Sequence, residues 1–142
     1  MSWRALSVAM GAVLLLAVCL AFAAPALAAR GHAEAVALYL AFEPFCHQNA
    51  DRCWRVNGLS AALCVRCSGA LLGAALALFA KAPFSLRALG VAAGVTALTW
   101  SIDSSGAASV PEGVRFASGL GLGGALAAVM TIRSDVERTS VD

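Results

Sequence analysis

Apolar runs long enough to cross a lipid bilayer occupy most of this chain and constrain its fold more than any other feature. Residues 59–80, 84–102 and 114–132 contain very few charged side chains. A helix needs about 20 predominantly apolar residues to span the hydrocarbon core of a membrane. The runs therefore predict an all-α integral membrane protein, with a three-helix transmembrane bundle over residues 59–132.

The first 29 residues form a further apolar segment with two interpretations. Residues 1–29 carry an early positive charge at Arg4 and end near Ala26-Leu27-Ala28, a small-residue pattern typical of a signal-peptidase site. The same segment is also long enough to span the bilayer. It is therefore either a cleaved signal peptide or a retained first helix, and the bundle has three or four transmembrane helices accordingly.

The composition supports a membrane location and excludes one class of partner. Of the 142 residues, 61% are hydrophobic and 13% are charged, whereas a soluble domain is about half apolar and about a quarter charged. The net charge of +2 is small, and no basic run carries interleaved aromatic residues. We expect contact with a lipid bilayer and no nucleic-acid partner.

Two more polar segments flank the predicted bundle. Residues 30–58 contain an apolar stretch too short to span a membrane, followed by a turn-like loop, and they are predicted to form an extracytoplasmic segment. Residues 133–142 form a polar tail that is predicted to be cytoplasmic.

The positions of basic residues predict how the bundle is oriented. Lys81 and Arg87 flank the connection between the first two runs of the bundle, and Arg133 and Arg138 follow the last run. Short loops rich in Lys and Arg stay in the cytoplasm. The protein is therefore predicted to be a multi-pass protein of the cell membrane, with the loop before residue 59 and the loop at 103–113 facing out.

Pairs of glycines four residues apart recur in the runs of the bundle. Such spacing lets helix backbones approach closely, because close packing drives helix association in lipid. A compact bundle is therefore expected. The pairs are Gly69 and Gly73, Gly90 and Gly94, and Gly119 and Gly123.

Two cysteine motifs carry the most chemistry in the chain. Cys46 and His47 begin a C-H-Q motif, and Cys64 and Cys67 form a C-x-R-C motif. On a helix, residues three apart share a face, so the two sulfurs of the second motif can reach one metal ion or each other. Cys46 would supply a third sulfur, and His47 or Cys53 would complete a tetrahedral site.

Three functions are compatible with these motifs. In the first, Cys46, His47, Cys64 and Cys67 bind zinc or another thiophilic metal ion. In the second, the same three cysteines exchange electrons with a membrane quinone, and Arg66 lowers the pKa of a neighbouring thiol. In the third, a transporter or scaffold subunit carries a structural disulfide. Metal binding is the leading prediction, and whether the protein is an enzyme stays open.

Asp103 and Arg115 are predicted to support this site. Asp103 ends one predicted span and Arg115 begins the next, so a short loop brings them close together. A cation at a helix start is disfavoured unless an anion lies nearby. Ionisable groups at membrane depth also tend to find partners inside the bundle, and the same argument applies to Arg66. We therefore expect these residues to form a wall of the cysteine site.

The motifs taken together resemble those of a known family. The C-H-Q motif at Cys46, the C-x-R-C-x-G motif at Cys64, Asp103 and the R-x-x-S-G motif at Arg115 are similar to the pattern of small prokaryotic membrane proteins grouped as domain of unknown function 2085. The resemblance implies an inner or plasma membrane location. It implies no established activity.

Overall fold

The structure is a computed structural model that describes residues 3–80 and 85–139, with side chains for 4–80 and 85–131. The chain is mostly helical. In chain order its elements are α1 (Trp3–Ala29), α2 (Glu34–Phe42), a 3-10 turn (Ala50–Arg52), β1 (Cys53–Val56), β2 (Leu59–Cys64), α3 (Val65–Ala80), α4 (Leu86–Ser105) and α5 (Glu112–Thr139).

Among the described residues, two helices are long and apolar enough to cross a membrane. They are Arg4–Ala29 in α1 and Glu112–Thr131 in α5. Helix α3 is also apolar but has 16 residues, which at 1.5 Å per residue is about 24 Å, against about 30 Å for a bilayer core. The structure thus contains two candidate spans, whereas the sequence predicts three or four.

The prediction of one continuous helix over residues 59–80 is wrong for its first six residues. Residues 59–64 form β2, which pairs antiparallel with β1 so that Cys53 lies opposite Cys64. The turn between the strands places Asn57 at φ 53° and Gly58 at φ 81°. Asn-Gly favours tight hairpins because both residues adopt positive φ at low cost. The hairpin also corrects the all-α prediction, since it adds a small sheet to the helices.

Helix α1 packs into the same core as the hairpin. Ala21 and Ala24 have no exposed surface and cluster with Cys46, Ala62 and Leu63. α1 therefore contributes buried side chains beneath one of the cysteines.

Helices α3 and α5 pack backbone to backbone through glycine. A Cβ atom at Gly69 or Gly73 would overlap the backbone of α5, and one at Gly119 or Gly123 would overlap the backbone of α3. The predicted close approach is confirmed for these two pairs.

The third glycine pair behaves differently. No described atom beyond the local helix backbone lies within 4 Å of a Cβ built at Gly90 or Gly94. The expected packing role of this pair is therefore wrong within the described part of the chain. All three pairs have the same spacing, yet only two of them contact a neighbouring helix. The spacing permits close packing but does not determine which face of a helix meets a neighbour.

The helix directions bring four termini to one end of the bundle. The hairpin lies at the same end as the C-termini of α1 and α4 and the N-termini of α3 and α5. This arrangement is expected for antiparallel neighbours joined by short connections. Helix α4 ends at Ser105 and is capped by Gly106, whose φ of 69° suits a glycine cap. Asp103 in the last turn of α4 and Arg115 in the first turns of α5 therefore lie at the end that carries the cysteines.

At the other end of the bundle, Lys81, one of the basic residues that predict the orientation, lies outside the described residues. The tail predicted to follow residue 132 continues as helix through Thr139.

Candidate functional site

Three cysteine sulfurs meet at the hairpin end of the bundle. The Sγ atoms of Cys46, Cys64 and Cys67 all lie within 4.8 Å of one another. They come from the loop after α2, the end of β2 and the first turn of α3. All are free thiols. The structure thus brings together three of the four residues predicted as metal ligands.

Backbone hydrogen bonds hold two of these sulfurs in place. The N–H of Cys64 donates to Cys46 Sγ at 3.2 Å, and the N–H of Cys67 donates to Cys64 Sγ at 3.4 Å. Cys64 directly precedes α3, so its sulfur accepts from one of the free N–H groups of the first helical turn, as a capping side chain does. The sequence places Cys64 on the helix, whereas the structure places it at the junction of strand and helix.

The loop that carries Cys46 is tied to α2. The N–H of Cys46 donates to Phe42 O at 3.0 Å, and Gln48 Nε2 donates to Tyr39 O at 2.6 Å. The Tyr39 hydroxyl in turn donates to Ser60 O at 2.5 Å and so joins α2 to the hairpin. These bonds fix the loop, and packing against Ala62 and Leu63 of the hairpin and against α1 leaves Cys46 only 6% exposed.

The neighbouring thiols shift one another's pKa values in opposite directions. Hydrogen bonds from Cys64 and then Cys67 hold the pKa of Cys46 well below its usual value. Donating the bond to Cys46 raises the pKa of Cys64. These hydrogen bonds therefore favour negative charge on Cys46 over negative charge on Cys64.

The other two predicted donors lie outside the three-sulfur group. His47 is exposed and contributes no nitrogen to the group. Cys53 is 3% exposed, and burial, with a smaller effect of the Cys46 charge, raises its pKa to about 12. Cys53 therefore belongs to the hairpin core.

Next to the cysteines, three arginines converge on one carboxylate. Arg115 Nη2 donates to Asp103 Oδ1 at 2.5 Å, so the predicted proximity of these residues is confirmed. Arg66 Nη2 and Arg52 Nε lie 3.9 Å and 3.8 Å from Asp103 Oδ2. The Asp103 side chain is only 3% exposed. Burial of this carboxylate is tolerable because cations surround it.

Arg52 is the member of this cluster that sequence reasoning places elsewhere. The sequence assigns it to a solvent-exposed loop, whereas its Nη2 donates to the Asp103 backbone carbonyl at 3.1 Å. Arg55, three residues later, is exposed on β1. The short turn before β1 decides which of the two arginines points inward.

One cavity joins the cysteines to the arginine cluster. Its volume is about 430 Å³, and it is neither sealed nor flat against the surface. The residues that line it are Phe45, Cys46, His47, Gln48, Asn49, Arg52, Cys64, Arg66, Cys67, Trp100, Asp103 and Arg115.

The family of the chain follows from a comparison with known families. The family model described as a predicted membrane protein (DUF2085) matches residues 46–129, which is more than half of the chain. The chain belongs to the DUF2085 family. Neither a curated protein nor a solved structure matches it. As a membrane protein, this DUF2085 chain contacts the lipid bilayer.

The matched range of this DUF2085 protein contains the three cysteines and the arginine cluster. Cys46 is its first residue, and the hairpin, α3 and α4 lie wholly within it. The family description assigns no activity. The chemistry of the site must therefore be argued from the sulfurs, the guanidinium groups and the cavity between them.

Proposed function

We propose that this DUF2085 protein binds a thiophilic metal ion through Cys46, Cys64 and Cys67. The observation that carries the proposal is the convergence of three Sγ atoms within 4.8 Å of one another. Zinc–thiolate bonds are about 2.3 Å long, so sulfurs around one zinc ion lie roughly 4 Å apart. A small movement of the side chains would bring all three sulfurs to this spacing.

The protonation of the trio also supports metal binding. A thiolate is the form that binds metal, and the lowered pKa of Cys46 favours that form. Cys64 and Cys67 would release their protons as the ion enters. Sulfur donors favour zinc or copper(I) over magnesium or calcium. Zinc is therefore the first candidate.

His47 is the candidate for a fourth ligand. It lines the same cavity as the three cysteines, and because its side chain is exposed, rotating the ring toward the sulfurs would not disrupt buried packing. In zinc sites with three protein ligands, water or a bound molecule takes the fourth position. We propose His47 as the fourth ligand, with a water molecule in its place when the histidine is removed.

The membrane setting of the site is part of the proposal. With Lys81 and Arg87 in the cytoplasm, the hairpin end of a multi-pass bundle faces out of the cell. α3 and α4 would then cross the membrane together with α1 and α5. In that arrangement the metal enters from the extracytoplasmic side.

A combined measurement of bound metal and free thiols tests the proposal. The protein is purified in detergent without chelator, metal is quantified by mass spectrometry, and thiols are counted after denaturation. We expect about one metal ion per chain with all cysteines reduced. Cys67→Ser should lose the metal, whereas Cys19→Ser on the exposed face of α1 should keep it. A parent protein that stays metal-free after incubation with zinc would contradict the proposal.

Thiol–disulfide exchange with a quinone is a second candidate because a stabilised thiolate lies beside two thiols. In this reaction two thiols form one disulfide and release two electrons and two protons, which reduce a quinone to a quinol. Metal-free protein with a disulfide between two of the three cysteines, reduced by dithiothreitol and reformed by a quinone, would favour this function. A disulfide that no quinone reforms would indicate the transporter or scaffold alternative.

A further inference from the structure

The arginine side of the cavity has an excess of positive charge. Arg52, Arg66 and Arg115 come from three different elements, and Asp103 is the single carboxylate within 4.0 Å of any of them in the described part of the chain. Three guanidinium groups against one carboxylate leave two positive charges. The Cys46 thiolate, or a zinc ion held by three thiolates, removes one of them. The cavity therefore stays positive with or without metal.

Two of the three arginines are largely buried, which makes this excess costly. The Arg66 side chain is 15% exposed and that of Arg115 is 11% exposed. Water screens such charges poorly, and a buried charge normally has a partner of opposite sign. The excess indicates that an anion belongs to the complete site.

Hydrogen bonding within the cluster is also incomplete. Arg66 Nε, Arg115 Nε and Asp103 Oδ2 are buried and have no hydrogen-bond partner among the described residues. Buried polar atoms are paired in the great majority of cases. All three side chains line the cavity, so a small rotation of either guanidinium group would present its free N–H to a ligand there.

We propose that these arginines bind a phosphate group, supplied by inorganic phosphate or by a lipid headgroup. Guanidinium groups bind phosphate through parallel N–H···O bonds. A tetrahedral phosphate can accept such bonds from three directions, whereas a carboxylate has only two oxygens. This site goes beyond the proposed metal centre and does not need the metal.

The shape of the cavity suits a phosphate compound larger than the inorganic ion. Its volume of about 430 Å³ leaves space beyond the arginines. Phe45 and Trp100 also line it and are 79% and 56% exposed. These aromatic side chains would contact an apolar portion of the ligand, such as the start of an acyl chain.

Calorimetric titration of the metal-free protein in detergent, at constant ionic strength and without phosphate buffer, tests the proposal. Two probes are used, sodium phosphate and short-chain phosphatidic acid. Saturable binding of sodium phosphate identifies free phosphate as the ligand, and binding of phosphatidic acid alone identifies a headgroup. Failure of both probes to bind would overturn the proposal. The metal content, measured separately, is unaffected by either result.

Variants assign the binding to the arginines. Arg66→Gln removes a charged hydrogen-bond donor and should weaken binding by about tenfold or more, whereas Arg55→Gln on the exposed face of the hairpin should leave it unchanged. If Arg66→Gln does not fold, Arg52→Gln is measured, because the 33% exposed Arg52 is less embedded in the bundle. Equal affinity in the folded arginine variant and the parent would overturn the assignment.

One further variant is expected to bind phosphate more tightly than the parent. Asp103→Asn removes the carboxylate that competes with phosphate for the same guanidinium groups, and it should tighten phosphate binding severalfold. If the arginines served only to balance Asp103, the substitution would destabilise the protein without any gain in affinity. An unchanged or weaker affinity in folded Asp103→Asn would count against the phosphate site.

Discussion

The backbone N–H of Cys64 donates to the sulfur of Cys46 at 3.2 Å. This bond joins the last residue of the hairpin to the loop after α2, two segments that are 18 residues apart in the chain. It also stabilises negative charge on the sulfur, because a hydrogen bond to a charged group favours the charged form. The fold thus sets the position of the Cys46 sulfur and lowers the pKa of its thiol.

The first prediction concerns the pH dependence of stability without metal. An unfolded thiol has a pKa of about 8.5, and the pKa of folded Cys46 is lower. The resulting stabilisation is therefore complete above about pH 8.5 and is lost as the pH falls toward the folded pKa. The difference in melting temperature between the parent and Cys46→Ser should shrink from pH 8.5 to pH 6.

Cys53→Ser is the matched control for this measurement. Burial raises the pKa of Cys53 above that of an unfolded thiol, so Cys53 is protonated in both states below about pH 8.5. The difference in melting temperature between Cys53→Ser and the parent should stay constant from pH 8.5 to pH 6. A constant difference for Cys46→Ser as well would show that Cys46 is not a stabilised thiolate.

The second prediction separates the three sulfurs from the histidine. His47→Ala should still bind one zinc ion, with about 10-fold to 100-fold lower affinity if a water molecule replaces the ring. Cys46→Ser should lose zinc under the same conditions. Competition with a zinc-binding dye measures both affinities. Equal zinc affinity in His47→Ala and the parent would exclude His47 as a ligand.

The third prediction concerns the glycine contact between α3 and α5. A Cβ at Gly123 would overlap the carbonyl oxygen of Ala70, so Gly123→Ala must push two backbones apart. Such overpacking costs about 1–3 kcal/mol. The variant should melt at a lower temperature than the parent.

Gly94→Ala on α4 is the control, because a Cβ there meets open space. The substitution should be neutral or should stabilise the helix by about 0.5–1 kcal/mol, since alanine loses less backbone entropy on folding. A loss of stability at Gly94 equal to that at Gly123 would show that α4 has a close neighbour in the membrane.

The fourth prediction tests the orientation of the bundle. Ser85 and Ser105 are exposed residues at opposite ends of α4. A thiol reagent that cannot cross membranes should label Ser105→Cys in intact cells and leave Ser85→Cys unlabelled until the cells are opened. Peptide mass mapping separates these sites from the native cysteines. The reverse pattern would place the cysteine site in the cytoplasm.

Several features of the fold follow from local sequence patterns. The apolar runs predict α1, α4 and α5 because a helix in lipid must satisfy its own backbone hydrogen bonds. The glycine spacings predict the α3–α5 contact. Asp103 and Arg115 are predicted to meet because a short connection joins the two helix ends that carry them.

The hairpin shows where local patterns become ambiguous. An apolar run of six residues is equally compatible with a buried strand and with the start of a buried helix. Asn57-Gly58 is the local signal that favours a hairpin and hence a strand. The apolar run continues to residue 80, however, and this length favours a single membrane-spanning helix when only the sequence is considered. Pairing with β1 decides the outcome. It supplies hydrogen-bond partners for backbone N–H and C=O groups of residues 59–64, which in a longer α3 would bond within the helix.

The sequence by itself determined a membrane protein of apolar helices with two cysteine motifs and an Asp–Arg pair at one end. Only the tertiary structure decided that Cys46 meets Cys64 and Cys67 without His47, and that Arg52 turns inward while Arg55 stays exposed. The physical reason is that these outcomes depend on which way a side chain leaves a loop or a strand. That direction is set by hydrogen bonds and packing between segments far apart in the chain, such as Cys64 on Cys46 and Arg52 on Asp103.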